Sequence, residues 1–398
     1  MRLKAYHFIS IFLLLLATSV PAVPSALRVT EARDAALTIL PDARDSGHDD
    51  AVLRLAVHIP TLGERILWLE PNLRLLEEAR PFLEDVAEGR VVFYRGGIEG
   101  QGEGWVRLSR IHDEWIGLIH DGKTLWLIDP ASHHIILAAR YGVPPDGTLV
   151  FGLDDISGLG HFHGDARLTP RIETLAEQAN GTSSFLGTST KYLRVSLVLD
   201  TEFQARWGSN AHSTAVGILN SVDGFYTQAN TQVSLHALQA LSSNGTMTSA
   251  NPNALLDAFS AYSAGGNVPF HGLAHLLSGK DFDGSTVGLA YVGDPRPGYV
   301  STVCNANYGT GIDQITASSA LGAVILAHEM GHNYGAVHDG SSNSCAPSGF
   351  IMAPSVNSNY NSFSSCTLSE FMAYQAAKQP ACLVGTSPVG VIFANGFE

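Results

Sequence analysis

His328, Glu329, His332 and His338 have the residue types and the spacing of a metal centre. Two histidines four apart on a helix share one face, with Cβ atoms about 5–6 Å apart, so both imidazoles reach one ion. Glu329 follows the first of them and projects toward a water on that ion. Gly335 lets the helix stop and the chain reverse with positive φ, and His338 then returns to the same ion from another direction. Three protein nitrogens leave a fourth position open, the arrangement of a catalytic rather than a structural zinc site. Water held there has a pKa of about 7, so a nucleophile exists at neutral pH, and Glu329 is placed to take its proton and return it to a departing amine. A helix whose histidines merely filled a core would explain neither the glutamate nor the glycine.

The elements that must position these groups are also readable. Leu321, Val324 and Ile325 form an apolar stripe that His328 and His332 continue at three-to-four spacing, which puts the ligands on the buried side of their helix. Upstream, residues 192–200 are continuously apolar and predict a buried central strand. A helix is expected over 215–226, a strand over 232–238, and a helix over 253–262 capped by Asn253. Strands follow at 274–277 and 287–292, and a helix at 369–378 closes the chain. This β-α-β-α-β-β order predicts an α/β sheet flanked by helices.

The chain has 398 residues, 45% hydrophobic and 15% charged, enough for more than one core. A net charge of −14 argues against nucleic acid or an anionic membrane as partner. Residues 1–22 read as a secretory signal, with Arg2 and Lys4 before an apolar run over 8–17 that is too short to span a bilayer. Residues 23–175 read as a β-rich unit, because runs at 91–94, 104–108, 115–119 and 124–128 are separated by turn residues, as in a meander or sandwich. A Gly, Ser, Thr and Asn-rich stretch within 176–190 is expected to be an exposed, cleavable linker. The catalytic unit is expected over 191–384, with a tail at 385–398.

The full motif, His-Glu-x-x-His-x-x-Gly-x-x-His, resembles the metzincin signature. Asn333 and Asp339 within it, and Met352 followed by Pro354, resemble the adamalysin (reprolysin) branch, here as a secreted bacterial-type precursor. The resemblance covers 191 to about 383. It implies a mixed sheet with flanking helices, one zinc on His328, His332 and His338, and a Met-turn in which Met352 supports the histidines from below. It also implies a metalloendopeptidase acting on protein or peptide substrates. The strand carrying Gly288, Leu289 and Ala290 is then a sheet edge to which a substrate adds as an antiparallel strand. Asp339 and Gly335 are expected to hold the turn around His338. The β-rich unit resembles the propeptide of such precursors and is expected to inhibit its own enzyme.

Four cysteines in an exported chain suggest two disulfides and permit three pairings. The resemblance favours Cys304–Cys382 and Cys345–Cys366. Where many relatives hold calcium, this chain has Arg194, Gly272 and Gly385, so no calcium is expected there. Residues 1–303 contain no cysteine, so a thiolate cannot silence the zinc. The run Phe162-His163-Gly164-Asp165 resembles the element by which astacin precursors set an aspartate on zinc, which makes Asp165, His163 and His161 candidates for latency. The product is expected to be secreted, after passage through a periplasm where one exists, and monomeric. Two other readings stay open: an inactive zinc-binding module, which the intact Glu329 argues against, and a zinc hydrolase of a non-peptide substrate.

Overall fold

The computed structural model describes residues 28–41, 52–157, 167–168, 190–355 and 361–383. The N-terminal part runs β1 (Arg28–Val29), β2 (Arg33–Asp34), β3 (Thr38–Ile39), β4 (Leu53–Ile59), β5 (Gly63–Pro71), α1 (Leu73–Ala79), α2 (Glu84–Ala87), β6 (Val91–Ile98) and β7 (Trp105–Ile111). It continues with β8 (Glu114–His120), β9 (Leu125–Pro130), α3 (Ile135–Tyr141), β10 (Thr148–Gly152), β11 (Ile156–Ser157) and β12 (Arg167–Leu168). The C-terminal part runs β13 (Lys191–Leu199), α4 (Thr201–Trp207), α5 (Ala211–Tyr226), β14 (Thr231–Ala240), α6 (Pro252–Tyr262) and β15 (Leu273–Ser278). It ends with β16 (Gly288–Val292), β17 (Thr310–Gln314), α7 (Ser319–Asn333) and α8 (Ser365–Lys378).

Strands β3 to β10 form an antiparallel meander, and β2 completes a nine-stranded sheet beside β10. The second sheet has six strands in the order β12-β16-β17-β15-β13-β14, with β16 antiparallel to β17 and the other pairs parallel. Side chains that alternate along its strands divide between two cores, as a two-residue period requires. Val198, Leu276, Ile312 and Leu289 pack with Leu255, Leu256 and Phe259 of α6. Val195, Leu197, Leu199 and Leu277 face the other way, into the core that holds α5 and α7.

That second core does not stop at the helices. It also contains Phe93, Ile116, Leu118, Leu127 and Phe151 from the nine-stranded sheet, so the two sheets share one interior with α5 between them. The far face of the nine-stranded sheet has its own core, including Leu55, Leu67, Val106 and Ile128. The four runs read in the β-rich unit correspond to β6, β7, β8 and β9, whereas β4, β5 and β10 were not anticipated, and the unit shares its interior with the C-terminal part.

Several boundaries also move. The cap of α6 is Asn251, whose side chain accepts from Ala254 N at 3.1 Å, with Pro252 at the first helical position, so the expected cap at Asn253 lies inside the helix. Helix α4, capped by Asp200, and strand β17 were not anticipated. Gly311 and Asp313 are poor strand formers, and burial in the sheet overrides that preference. Strand β16 is not the outermost strand, because β12 pairs in parallel with Tyr291 and Val292. The signal segment, most of the linker and the tail lie outside the described residues, as do Asp165, His163, His161 and Gly385.

Candidate metal centre

Ser318 starts the zinc helix by accepting from Leu321 N at 3.0 Å, and all residues of α7 are buried. His328 and His332 lie one turn apart near its end. The helix stops at Tyr334, and Gly335 takes φ +101°, where a side chain would also collide with Tyr374. The chain then turns and presents His338 to the other two. The ring Nε2 of His338 lies 3.2 Å from Nε2 of His328 and 3.2 Å from Nε2 of His332.

The remaining ring nitrogens set the orientation. His328 Nδ1 donates to Ile351 O at 2.6 Å, and His332 Nδ1 donates to Ala336 O at 2.8 Å, which leaves each Nε2 lone pair aimed at the common point. Burial, with His338 nearby, lowers the His328 imidazole to about 3, and burial drives His332 well below its ordinary value. Neutral imidazoles are the form that binds a metal. Tetrahedral zinc with bonds of about 2.0–2.1 Å requires ligand nitrogens roughly 3.3 Å apart, which the observed spacing meets.

Glu329 stands beside this triad with no exposed surface, and neither carboxylate oxygen has a hydrogen-bond partner. Burial, followed by the charge of Asp313, pushes its carboxyl well above the usual range. An orphaned buried carboxylate is costly unless it serves a ligand or a reaction. Gly288 makes room for it, since a Cβ at 288 would overlap the Glu329 carboxylate. Gly288, Leu289 and Ala290 pair with Asp313, Ile312 and Gly311 on their inner side.

The surrounding groups pack directly against the triad's turn. Met352 is fully buried beneath the helix, so close that a Cβ on Gly331 would lie 2.5 Å from its Sδ. Asp339 is buried, accepts from Ser364 Oγ at 2.6 Å, and donates through its N–H to Met352 O at 2.9 Å, joining the His338 turn to the Met-turn. Cys304–Cys382 and Cys345–Cys366 are both bonded. Arg194 and Gly272 are neighbours, a Cβ at 272 falling 2.5 Å from Arg194 O, with His236 and His271 in ring contact close by.

Sequence reasoning missed a buried chain behind the ligands. Asn333 Nδ2 donates to Tyr291 O at 2.8 Å and to Thr310 O at 3.2 Å, so its Oδ1 faces His275 Nε2, 3.0 Å away, as acceptor. His275 Nδ1 lies 2.9 Å from Asp313 Oδ2. This chain fastens the end of α7 to β15, β16 and β17. Thr302 Oγ1 also bonds Asn333 O, and Tyr374 OH accepts from Thr302 N at 2.9 Å and Val303 N at 3.0 Å, which brings α8 to the same corner. The only signal in the sequence was the Asn directly after His332.

The fold and the triad define a metzincin-type metallopeptidase domain. The family model Reprolysin_5, Metallo-peptidase family M12, matches residues 189–364, so this part of the chain is similar to the reprolysin-like metallopeptidases. A zinc metalloproteinase-disintegrin-like protein of Cerberus rynchops is 24% identical over 344 residues, covering 80% of this chain and 53% of the relative. The chain thus spans about half the length of the relative it matches.

Proposed function

We propose that this protein is a secreted zinc-dependent metalloendopeptidase that hydrolyses peptide bonds in extracellular proteins. The observation that carries the reading is the partnerless, fully buried carboxylate of Glu329 beside three converging imidazole nitrogens. Zinc bound by His328, His332 and His338 would supply an acidified water and a polarised scissile carbonyl. Glu329, buried without a hydrogen-bond partner of its own, is free to hold the proton removed from the attacking water and to pass it to the departing amine. Gly288, Leu289 and Ala290 offer backbone groups along the cleft for an antiparallel substrate strand.

Secretion is supported by the leader-like N-terminus, by the two disulfides and by the absence, among the described residues, of any helix long and apolar enough to cross a membrane. The N-terminal part serves as propeptide. Its end at β12 lies beside Tyr291 and Val292, next to the substrate strand, so that segment is the inhibitory one. The working enzyme needs no calcium at Arg194 and Gly272.

The Glu329→Gln protein tests the mechanism. It should keep one zinc per chain by emission spectroscopy and lose casein digestion by at least ~10²–10⁴-fold. A variant that cut casein near the parental rate would remove Glu329 from the reaction.

A further inference from the structure

Helix α5 has 15 buried residues, although a helix on the outside of a sheet should show one face to water. The face toward the nine-stranded sheet carries Gly217, Asn220, Asp223 and Gly224, at the spacing of one helical stripe. Each meets the nine-stranded sheet. A Cβ at Gly217 would lie 2.8 Å from Ile116, and one at Gly224 would lie 2.6 Å from the Trp105 ring. Asn220 Nδ2 donates to Tyr94 O at 3.1 Å and Leu108 O at 3.2 Å, and its Oδ1 accepts from Asn72 at 3.0 Å. Asp223 accepts from Arg107 at 3.1 Å and Arg74 at 3.3 Å.

Two further anchors lie away from α5. Ser318 and Ser319, at the start of the zinc helix, both donate to the buried Asp129, the Ser319 bond being 2.8 Å. Glu78 of α1 accepts from Leu235 N at 2.9 Å and Ser234 Oγ at 2.5 Å, so it satisfies backbone on β14, the outermost strand at that side. A bare edge strand presents unpaired N–H and C=O groups. The N-terminal part therefore completes the interior, anchors the two serines that start the zinc helix and covers a sheet edge.

We propose that this surface of α5, β14 and the start of α7 is a permanent interface, and that the N-terminal sheet stays bound as a non-covalent subunit after the linker is cut. Release would uncover Asn220, Asp223 and Asp129 contacts together with an apolar interior, and buried polar networks are costly to leave half satisfied.

The test is independent of proteolysis. A recognition sequence for a site-specific protease is placed between Gly181 and Thr182 in the full chain carrying Glu329→Gln, which prevents self-digestion. After complete cleavage, the two fragments should co-elute at the size of the uncut protein in gel filtration and in stoichiometric amounts. Separate elution, or precipitation of one fragment while the other stays soluble, overturns the proposal. In the same cut protein, Arg107→Met should lower the urea concentration at which the fragments part. An unchanged midpoint would show that this surface is not what holds them.

Discussion

Toward its C-terminal end, α7 keeps the Glu329 carboxylate without any hydrogen-bond partner, whereas at its start and along α5 the buried carboxylates are shared among several donors. Asp129 holds two serine hydroxyls and faces His134, and although burial alone would raise it, these bonds keep its carboxyl below the ordinary range. Asp223 binds two arginines and Val233 N. The difference separates two uses of buried charge. A carboxylate surrounded by donors holds elements together; one left open beside converging imidazoles is available to a metal, a water or a substrate.

The sharpest way to break this contrast is His338→Ala. Deleting a ligand should reduce zinc well below one per chain and abolish proteolysis, while circular dichroism stays that of the folded parent. Stoichiometric, tightly bound zinc in that variant would require a ligand other than the three histidines.

Asp223→Ala addresses the opposite face. It strands Arg107 and Arg74 without their buried counter-charge and should lower the unfolding free energy by about 3–5 kcal/mol. Zinc per folded chain should not change. Loss of zinc at full stability would mean that the two faces are not separable. The smallest effect is expected from a calcium-selective chelator, which should leave the melting temperature unchanged, since Arg194 and Gly272 provide no carboxylate. A fall of several degrees, restored by calcium, would contradict this.

What was legible in the sequence was whatever a short stretch can encode. The ligands, Glu329 and the Gly335 stop sit within eleven residues, and helical spacing together with the glycine turn predicts their convergence. The disulfide pairing came through resemblance, and both bonds are present in the structure. The His275, Asp313 and Asn333 chain was hidden because it draws on three elements, one of them a short strand interrupted by Gly311 and Asp313. The interface on α5 was hidden for a related reason. Gly217 and Gly224 look like weak helix positions, and only Ile116 and Trp105, far away in sequence, explain them.

The Asp129 clasp on Ser319 joins residues 190 apart, and Asn72 reaches Asn220 across 148. The N-terminal meander, by contrast, pairs strands that follow one another. Long-range contacts carry the greater loop-closure cost and form later than local ones. The N-terminal sheet is thus the half that can assemble first as the chain is made, and the zinc helix must wait for it. Folding of the catalytic half is therefore expected to be paced by docking onto that sheet rather than by chemistry at the metal centre.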